Sequence, residues 1–216
     1  MDLYTEPDYE NIGLLTIDMQ NDFSSRVGSY EIRGTYEIIP NIVAILNKFR
    51  ERSKLIVHVV RIYKENGSNA DMCRKKKIEE GLRIVAPNSK GFELVRELRP
   101  NDARLDAEKL LKGEIQKIGS NEFVIYKSRW GAFYATQLED FLEEKDVSTL
   151  VFTGCNFPNC PRTSIYEASE RDFRLVVIED AISGIYEKGI EELKSICCEL
   201  IKTKDFLRKF GGKSFI

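Results

Sequence analysis

The stretch Thr149-Leu150-Val151-Phe152-Thr153-Gly154-Cys155-Asn156-Phe157-Pro158-Asn159-Cys160-Pro161 decides the fold. Its first five residues are β-branched or apolar and predict a buried strand, and Gly154 opens a loop. Proline is favoured at the first position of a helix, so Pro161 predicts that a helix starts beside Cys160. The stretch is therefore a strand, a loop and a helix in succession, which is the repeating unit of a parallel α/β sheet.

Two other apolar runs also end on a residue that can do chemistry. Leu14 to Ile17 runs into Asp18, and Phe123 to Tyr126 runs into Lys127. In an open parallel sheet, ligands bind in the crevice outside the carboxyl ends of the strands. We therefore expect an acid, a cation and the thiol of Cys160 to meet in one pocket.

Strands alternate with helical patterns along most of the chain, so we predict one domain spanning residues 1–216. The predicted fold class is α/β, with a doubly wound, mostly parallel sheet and helices on both faces. The role of residues 75–121 is left undecided, with short helices predicted at 92–98 and 106–111. The other predicted elements are strands at 54–62, 122–126, 149–153 and 174–179, helices at 36–52, 137–144, 161–171 and 187–200, and a functional loop at 63–74.

Composition predicts an ordinary soluble protein. Lys and Arg total 33 against 35 for Asp and Glu, so the net charge of −2 gives no global attraction for nucleic acid. Residues 1–10 carry acidic groups where a secretory signal carries positive charge, and no apolar run is long enough to span a bilayer. We therefore predict a cytoplasmic protein with no nucleic-acid or membrane partner.

The five cysteines are an odd number, which favours reduced thiols over a disulfide framework. Cys197 and Cys198 lie in an apolar helical pattern, so both are expected to be buried in the core. Cys155 and Cys160 do not have the C-x-x-C spacing of a redox or zinc motif.

Cys160 is the strongest candidate for a catalytic residue. At a helix N-terminus, the dipole and the free N–H groups are expected to lower the pKa of its thiol and to bind an oxyanion. The alternative is a buried structural cysteine. Asp18 could equally cap a turn, and Lys127 could be a surface lysine, so the combination of the three residues carries the hypothesis.

Three segments together resemble the signature blocks of the isochorismatase-like cysteine hydrolases. They are residues 15–23, residues 127–133, and residues 154–160 with Thr163, and their order and spacing match that family over nearly the whole chain. The family uses an Asp-Lys-Cys triad, and the resemblance assigns these roles to Asp18, Lys127 and Cys160.

The resemblance also implies further parts of the site. The backbone N–H groups of Asn156 and Cys160 would form the oxyanion hole. The family has a cis peptide bond before the oxyanion-hole residue, which corresponds here to Cys155-Asn156; Phe157-Pro158 is the neighbouring bond with a low intrinsic cis cost. Apart from the resemblance, six residues near the predicted pocket are expected to bind substrate: Phe23, Arg61, Arg129, Trp130, Phe133 and Phe157. An arginine can bind a substrate carboxylate through paired hydrogen bonds. The aromatic residues could form an apolar wall, but ordinary core packing explains Trp130, Phe133 and Phe157 equally well. For the arginines the alternative is a surface or interface ion pair, which we favour for Arg162.

Nicotinamidases of this family share an Asp-x-His metal motif, with further histidines, after the second strand. That stretch begins here at Arg61-Ile62-Tyr63 and has no histidine through residue 69, while His58 is expected inside a strand. We therefore predict no metal, no cofactor and no nicotinamide substrate. True isochorismatases lack the nucleophilic cysteine, so Cys160 also argues against vinyl-ether hydrolysis.

The expected function is hydrolysis of a C–N bond in a small amide, carbamoyl or ureido compound through a thioester. One rival is a non-catalytic small-molecule-binding protein that keeps the fold, and another is a thiol redox protein that uses Cys155 and Cys160. The resemblance also implies a homo-oligomer, either a dimer or a tetramer.

Overall fold

A computed structural model describes residues 2–26 and 28–212. It contains a seven-stranded sheet in the order β3-β4-β2-β1-β5-β6-β7. All neighbouring strands are parallel except β3 and β4, which are antiparallel. The predicted α/β fold class with a mostly parallel sheet is confirmed.

The strands and helices have the following bounds. The strands are β1 Ile12–Ile17, β2 Leu55–Val60, β3 Gln116–Lys117, β4 Glu122–Tyr126, β5 Thr149–Gly154, β6 Arg174–Ile182 and β7 Glu199–Ile201. The α-helices are α1 Asn21–Ser24, α2 Ile39–Glu51, α3 Met72–Glu79, α4 Ala107–Leu111, α5 Leu138–Glu143, α6 Cys160–Ser169, α7 Glu187–Ser195 and α8 Thr203–Gly211. Short 3₁₀ turns occur at Arg96–Leu98 and Pro100–Asp102.

The sheet is covered on both faces, which explains why its central strands are apolar throughout. Every residue of β1, β2 and β5 is buried. Neighbouring residues of β1 belong to different cores, since Leu14 packs with α2 and α8 while Leu15 packs with α5 and α6. Strands enclosed on both faces have this continuous hydrophobic pattern because neither face meets water.

Helix α2 shows how local sequence becomes packing. Ile42, Ile45, Leu46 and Phe49 recur at helical spacing and are all buried. Phe49 stacks against Phe206 of α8, with ring centroids 6.2 Å apart. The helix thus buries one apolar stripe, as expected of an amphipathic helix on a sheet.

The topology places the candidate site at the carboxyl ends of the strands. From β1, the chain moves outward through β2 to β4, and it then returns to the other side of β1 to add β5, β6 and β7. The direction of winding therefore reverses between β1 and β5. Such a switch point opens a crevice at the carboxyl ends of the strands, which is where ligands bind in this architecture.

Three predicted elements differ from the structure. The helix predicted at 187–200 ends at Ser195, because Cys197 adopts a left-handed φ of +60° and the chain then enters β7. Cys198 is buried as predicted, but Cys197 is exposed, so its predicted burial is wrong. The loop predicted at 63–74 gives way to α3 at Met72, and 92–98 is helical only from Arg96 because Leu94 forms a β-bridge with Gln20.

Within the described ranges 2–26 and 28–212, no helix is both long and apolar enough to cross a membrane.

Candidate active site

Asp18 is the first residue after β1, and its backbone is held in an uncommon conformation. Its φ is +53°, a region that non-glycine residues rarely adopt and that occurs often at functional sites. Its N–H donates to the carbonyl of Val59 at 2.9 Å, which extends the pairing of β1 with β2 by one residue. Gly154 lies opposite, with φ +118°, and a Cβ there would collide with the carbonyl oxygen of Ile17. The close approach of the two strand ends thus requires glycine at position 154.

Lys127 forms a fully buried ion pair with Asp18. Its Nζ lies 2.9 Å from Asp18 Oδ2, and it also donates to the carbonyl of Arg129 at 3.3 Å. The Lys127 side chain is completely inaccessible, so its ammonium depends on these partners in place of water. The backbone N–H of Lys127 donates to the carbonyl of Val60, which holds the Lys127 backbone at the end of β4. Removing one partner of such a pair is strongly destabilising.

Cys160 is the first residue of α6 and is buried, with 6% of its surface exposed. Its carbonyl accepts a hydrogen bond of 2.8 Å from Ser164 Oγ, and Ser164 Oγ in turn accepts the N–H of Ala132. The loop after β4 is thereby fastened to the helix that carries the thiol.

The environment of Cys160 raises the pKa of its thiol to about 12. Burial is the largest cause and the carboxylate of Asp18 is the next, while Lys127 and Arg61 act in the opposite direction. The sequence-based prediction of a lowered pKa is therefore wrong, because desolvation and a neighbouring anion outweigh the helix dipole. A thiol in this site is neutral at physiological pH and requires a base to ionise it.

Asp18 and Cys160 border one small cavity at the carboxyl ends of β1 and β5. Its free space is about 10 Å³, which is room for about one water molecule. The cavity is lined by Asp18, Phe23, Ile32, Arg61, Tyr63, Arg74, Trp130, Cys155, Asn156 and Cys160. A substrate therefore enters only if some of these side chains move apart.

Arg61 extends from the end of β2 into this cavity and is buried. Its Nη2 donates to both carboxylate oxygens of Asp71, at 2.9 and 3.0 Å. Its backbone is fixed by Gln20, whose side chain accepts the N–H of Arg61 and donates to its carbonyl, each at 2.8 Å. Burial alone would lower the pKa of Arg61, but the charges of Tyr63, Asp18, Cys160 and Asp71 raise it. The guanidinium is therefore charged.

Trp130 covers the cavity between two guanidinium groups. The guanidinium carbon of Arg61 lies 5.3 Å from a Trp130 ring centroid, and that of Arg74 lies 4.7 Å away. Arg74 also donates to the hydroxyl of Tyr63 at 3.2 Å and to Asp71 at 3.3 Å. These cation–π and ionic interactions link Arg61, Trp130 and Arg74 along the lining of the cavity.

The structure brings together some of the residues predicted to bind substrate but not all of them. Phe23, Arg61 and Trp130 line the cavity. Arg129 is exposed and donates to the carbonyls of Ser128 and Asn69, outside the lining. Phe133 is also outside it and packs on Phe173 and Arg171. Phe157 is buried against Tyr186, likewise away from the lining.

Asn156 lines the cavity, as expected of an oxyanion-hole residue, but the expected cis bond is absent. Cys155-Asn156 and Phe157-Pro158 are both trans, and no cis peptide bond occurs within residues 2–26 and 28–212. The expectation of a cis bond in this loop is therefore wrong for this structure. Arg162 forms an ion pair with Glu192 at 2.7 Å, so the surface role favoured for it is confirmed.

Sequence reasoning missed four residues of the site, Ile32, Tyr63, Asp71 and Arg74, and it considered Cys155, which also lines the cavity, only in the redox alternative. Tyr63, Asp71 and Arg74 fall in or at the ends of the polar stretch predicted as a functional loop, and that was the available signal. Nothing in the sequence pattern marks Ile32.

The residues present do not fit the metal site of nicotinamidases. Arg61 and Tyr63 occupy the stretch where the resemblance places the Asp-x-His motif, and a buried guanidinium repels a divalent cation. Across residues 2–26 and 28–212, no three His, Cys, Asp or Glu side chains converge as metal ligands. His58 is buried in β2, where it shares hydrogen bonds with Thr16 at 2.7 Å and Glu122 at 2.8 Å.

Comparison with known proteins agrees with the fold and the segments described above. A protein of Arabidopsis thaliana named a probable inactive nicotinamidase is 29% identical over 194 residues, covering 87% of this chain and 90% of the relative. A ureidoacrylate amidohydrolase of Variovorax paradoxus is 22% identical over 221 residues, covering 92% and 81%. The crystal structure of an isochorismatase family protein from Desulfovibrio vulgaris superposes with a TM-score of 0.78 at 26% identity, covering 94% of this chain and 99% of the other. The model of the isochorismatase domain matches residues 13–205. This chain belongs to the isochorismatase family.

Proposed function

We propose that this protein is a cysteine hydrolase that cleaves a C–N bond of a small amide, carbamoyl or ureido compound through a thioester. One observation carries the proposal: a buried Asp18–Lys127 ion pair adjoins the Cys160 thiol in a cavity at the switch point of the sheet. An acid and a cation that directly follow β1 and β4, and a nucleophile at the start of α6, are costly to bury together. Such groups, with a strongly shifted thiol pKa among them, are typical of a catalytic site.

In the first half of the reaction, Asp18 acts as the general base. It takes the proton of the Cys160 thiol as the sulfur attacks the carbonyl carbon, so that a C–S bond forms and the carbonyl oxygen becomes an oxyanion. Because the thiol has a pKa of about 12, this transfer is coupled to attack and no standing thiolate is required. Lys127 holds the carboxylate in place and offsets its negative charge.

The oxyanion is stabilised by the backbone N–H groups of Asn156 and Cys160. Cys160 contributes its N–H at the N-terminus of α6, where the helix dipole is favourable for negative charge. The loss of one such donor typically reduces the rate about 100- to 1,000-fold.

In the second half, the C–N bond breaks and the leaving nitrogen takes the proton from Asp18. A water molecule then attacks the thioester while Asp18 accepts one of its protons. The C–S bond breaks, and the sulfur recovers a proton to regenerate the thiol. The products are an amine or ammonia and an acid, and protons and electrons balance.

The comparisons support an amide-type substrate, since one relative is named a ureidoacrylate amidohydrolase. Nicotinamide is not the substrate that we propose, because Arg61 and Tyr63 replace the metal motif of nicotinamidases.

A second candidate is a small-molecule-binding protein without turnover. The relative named a probable inactive nicotinamidase favours it, as does the neutral, closed-in thiol of Cys160. Under this alternative the Asp18–Lys127 pair is structural, and ligands bind without being consumed.

Ammonia release from a panel of simple amides, carbamoyl compounds and ureido compounds tests the proposal. We expect the wild-type chain to turn over at least one class, and Cys160→Ser to keep the fold and lose turnover. Cys73→Ser is the matched control, because Cys73 is exposed on α3 and its loss should leave activity unchanged. Equal activity of wild type and Cys160→Ser would refute the assignment, whereas binding without turnover across the panel would support the second candidate.

A further inference from the structure

We infer that the cavity is built for substrates that carry a carboxylate, which binds Nη1 of Arg61 while an N–H of the scissile amide donates to Oδ1 of Asp18. This inference rests on the proposed function and names its substrate class.

The first observation is an unpaired buried donor. The Arg61 side chain is 3% exposed, and its Nη2 is engaged by Asp71. Its Nη1 is buried and has no hydrogen-bond partner within the described parts of the chain. A buried charged donor without a partner is costly, and proteins retain such a group where a ligand completes it.

The second observation is an unpaired buried acceptor in the same cavity. Asp18 Oδ2 accepts from Lys127, whereas Asp18 Oδ1 is buried and has no partner in hydrogen-bond geometry among residues 2–26 and 28–212. The Cys160 thiol lies beside this carboxylate and gives it a proton in the proposed reaction, so an N–H of the substrate shares the carboxylate with the thiol. The cavity thus presents one free cationic donor and one anionic acceptor. A molecule with an anionic oxygen at one end and an amide N–H at the other satisfies both.

The net charge of the side chains around the cavity also favours an anionic ligand. Arg61, Arg74 and Lys127 contribute three positive charges, and Asp18 and Asp71 contribute two negative charges. While Cys160 is a neutral thiol, this cluster carries one uncompensated positive charge. A monoanionic substrate neutralises the cluster, whereas a neutral amide leaves the excess charge buried.

Arg61 is also held in place before any ligand arrives. Asp71 accepts hydrogen bonds from the Arg61 guanidinium, and Gln20 holds the Arg61 backbone. The Tyr63 hydroxyl in turn donates a hydrogen bond to Asp71 at 2.6 Å. Because Arg61 is already ordered, it loses little conformational entropy when an anion binds, and its hydrogen bond to the anion strengthens binding almost in full.

A matched panel of acids and their neutral derivatives tests this inference. N-carbamoylglycine, N-carbamoyl-β-alanine and 3-ureidoacrylate are each compared with their methyl esters for ammonia release. Independently of turnover, the same pairs are titrated calorimetrically into the Cys160→Ser variant. We expect each acid to bind about 10- to 100-fold more tightly than its ester, as for a hydrogen bond to a charged group.

Arg61→Lys removes Nη1 but keeps a cation that can pair with Asp71, so the variant should fold. Made in the Cys160→Ser background, it should lose the preference for acids, with a smaller effect on the esters. Arg162→Lys is the matched control, because Arg162 pairs with Glu192 outside the cavity.

The outcomes separate the inference from the proposed function. Esters that turn over and bind as well as acids would overturn the carboxylate inference and leave the hydrolase proposal standing. Acids that bind selectively through Arg61 with no turnover would support the inference and count against the hydrolase. An acid preference that persists in Arg61→Lys would overturn Arg61 as the receptor.

Discussion

The substitution Asp18→Asn should make the protein a poorer enzyme while making Cys160 a more reactive thiol. The carboxylate of Asp18 is the second-largest cause of the raised thiol pKa, and the amide removes that charge at nearly constant shape. Lys127, which lowers the thiol pKa, is then no longer offset by an anion at 2.9 Å. Unfolding would also lower turnover and expose the thiol, so both quantities are measured on a variant that urea denaturation shows to be folded.

The size of the effect follows from the thiol pKa. At pH 8, a thiol with a pKa of about 12 is ionised in about one molecule in 10⁴, and one at the ordinary value of about 8.5 in about one molecule in four. Burial, the largest cause, persists in the variant, so only part of this range is recovered. We expect Cys160 to be alkylated between about 10 and 1,000 times faster, because each pKa unit gives a tenfold change in thiolate. Loss of the general base should lower turnover by about 100-fold or more.

The assay is the pH profile of iodoacetamide labelling between pH 7 and 11, with the labelled peptide identified by mass spectrometry. Below the thiol pKa the labelling rate rises about tenfold per pH unit, so the ratio of the variant rate to the wild-type rate at one pH gives the difference between their Cys160 pKa values. Urea denaturation accompanies it, because an uncompensated buried Lys127 is expected to cost about 3 to 5 kcal/mol.

The reasoning would be refuted if Cys160 were labelled no faster in Asp18→Asn than in wild type between pH 7 and 11. Lys127→Met serves as the control of opposite sign, since it removes a cation that lowers the thiol pKa. Cys160 should therefore be labelled more slowly in this variant than in wild type across the same pH range.

Three further outcomes are expected. Burial raises the pKa of Cys198 to about 12, so the folded state keeps a proton that the unfolded chain releases. The stability that this group contributes is lost as pH rises from about 8.5 towards 12. The free energy of unfolding, measured by urea titration, should therefore fall between pH 8 and pH 10 by about 1 to 2 kcal/mol less in Cys198→Ala than in wild type. An equal fall in both would contradict this. Gly91→Ala places a Cβ against the carboxylate of Asp22 and should lower the free energy of unfolding by about 1 to 3 kcal/mol in the same assay. Gly211→Ala is the control, because the nearest atom to its Cβ lies at 3.6 Å, and it should cause no such loss. Equal stabilities of the two variants would contradict the predicted collision. Chelation by EDTA should leave ammonia release intact, because the cation of Arg61 occupies the stretch of the metal motif; a loss that added metal restores would count against a metal-free reaction.

Much of the fold could be predicted because it depends on local pattern. The run 149–161 predicts a strand, a loop and a helix from apolar periodicity and one proline, and the structure has β5 and α6 there. The end of α7 was missed, because the apolar run after Ser195 fits a helix and an edge strand equally well. Only the left-handed turn at Cys197 and the pairing of β7 with β6 distinguish the two.

The candidate site, like the fold, could be predicted from the sequence only in part. Asp18, Lys127 and Cys160 could be singled out because each follows or adjoins the end of an apolar strand, and the parallel topology gathers such ends at one edge. The direction of the Cys160 pKa could not be predicted, since it depends on how completely neighbouring elements exclude water from the thiol. Arg129 and Arg61 are equally plausible ligands by sequence, yet one is exposed and the other is buried.

The order of the amino acids by itself determined five of the seven strands, most helices, the family and three residues able to do chemistry, because these depend on neighbours along the chain. Only the tertiary structure decided that Arg61 is held by Asp71 with one amino group unpaired, and that the thiol is kept neutral beside a carboxylate. Charge and hydration depend on distances through space, and those distances are set when β1, β2, β4 and β5 come together.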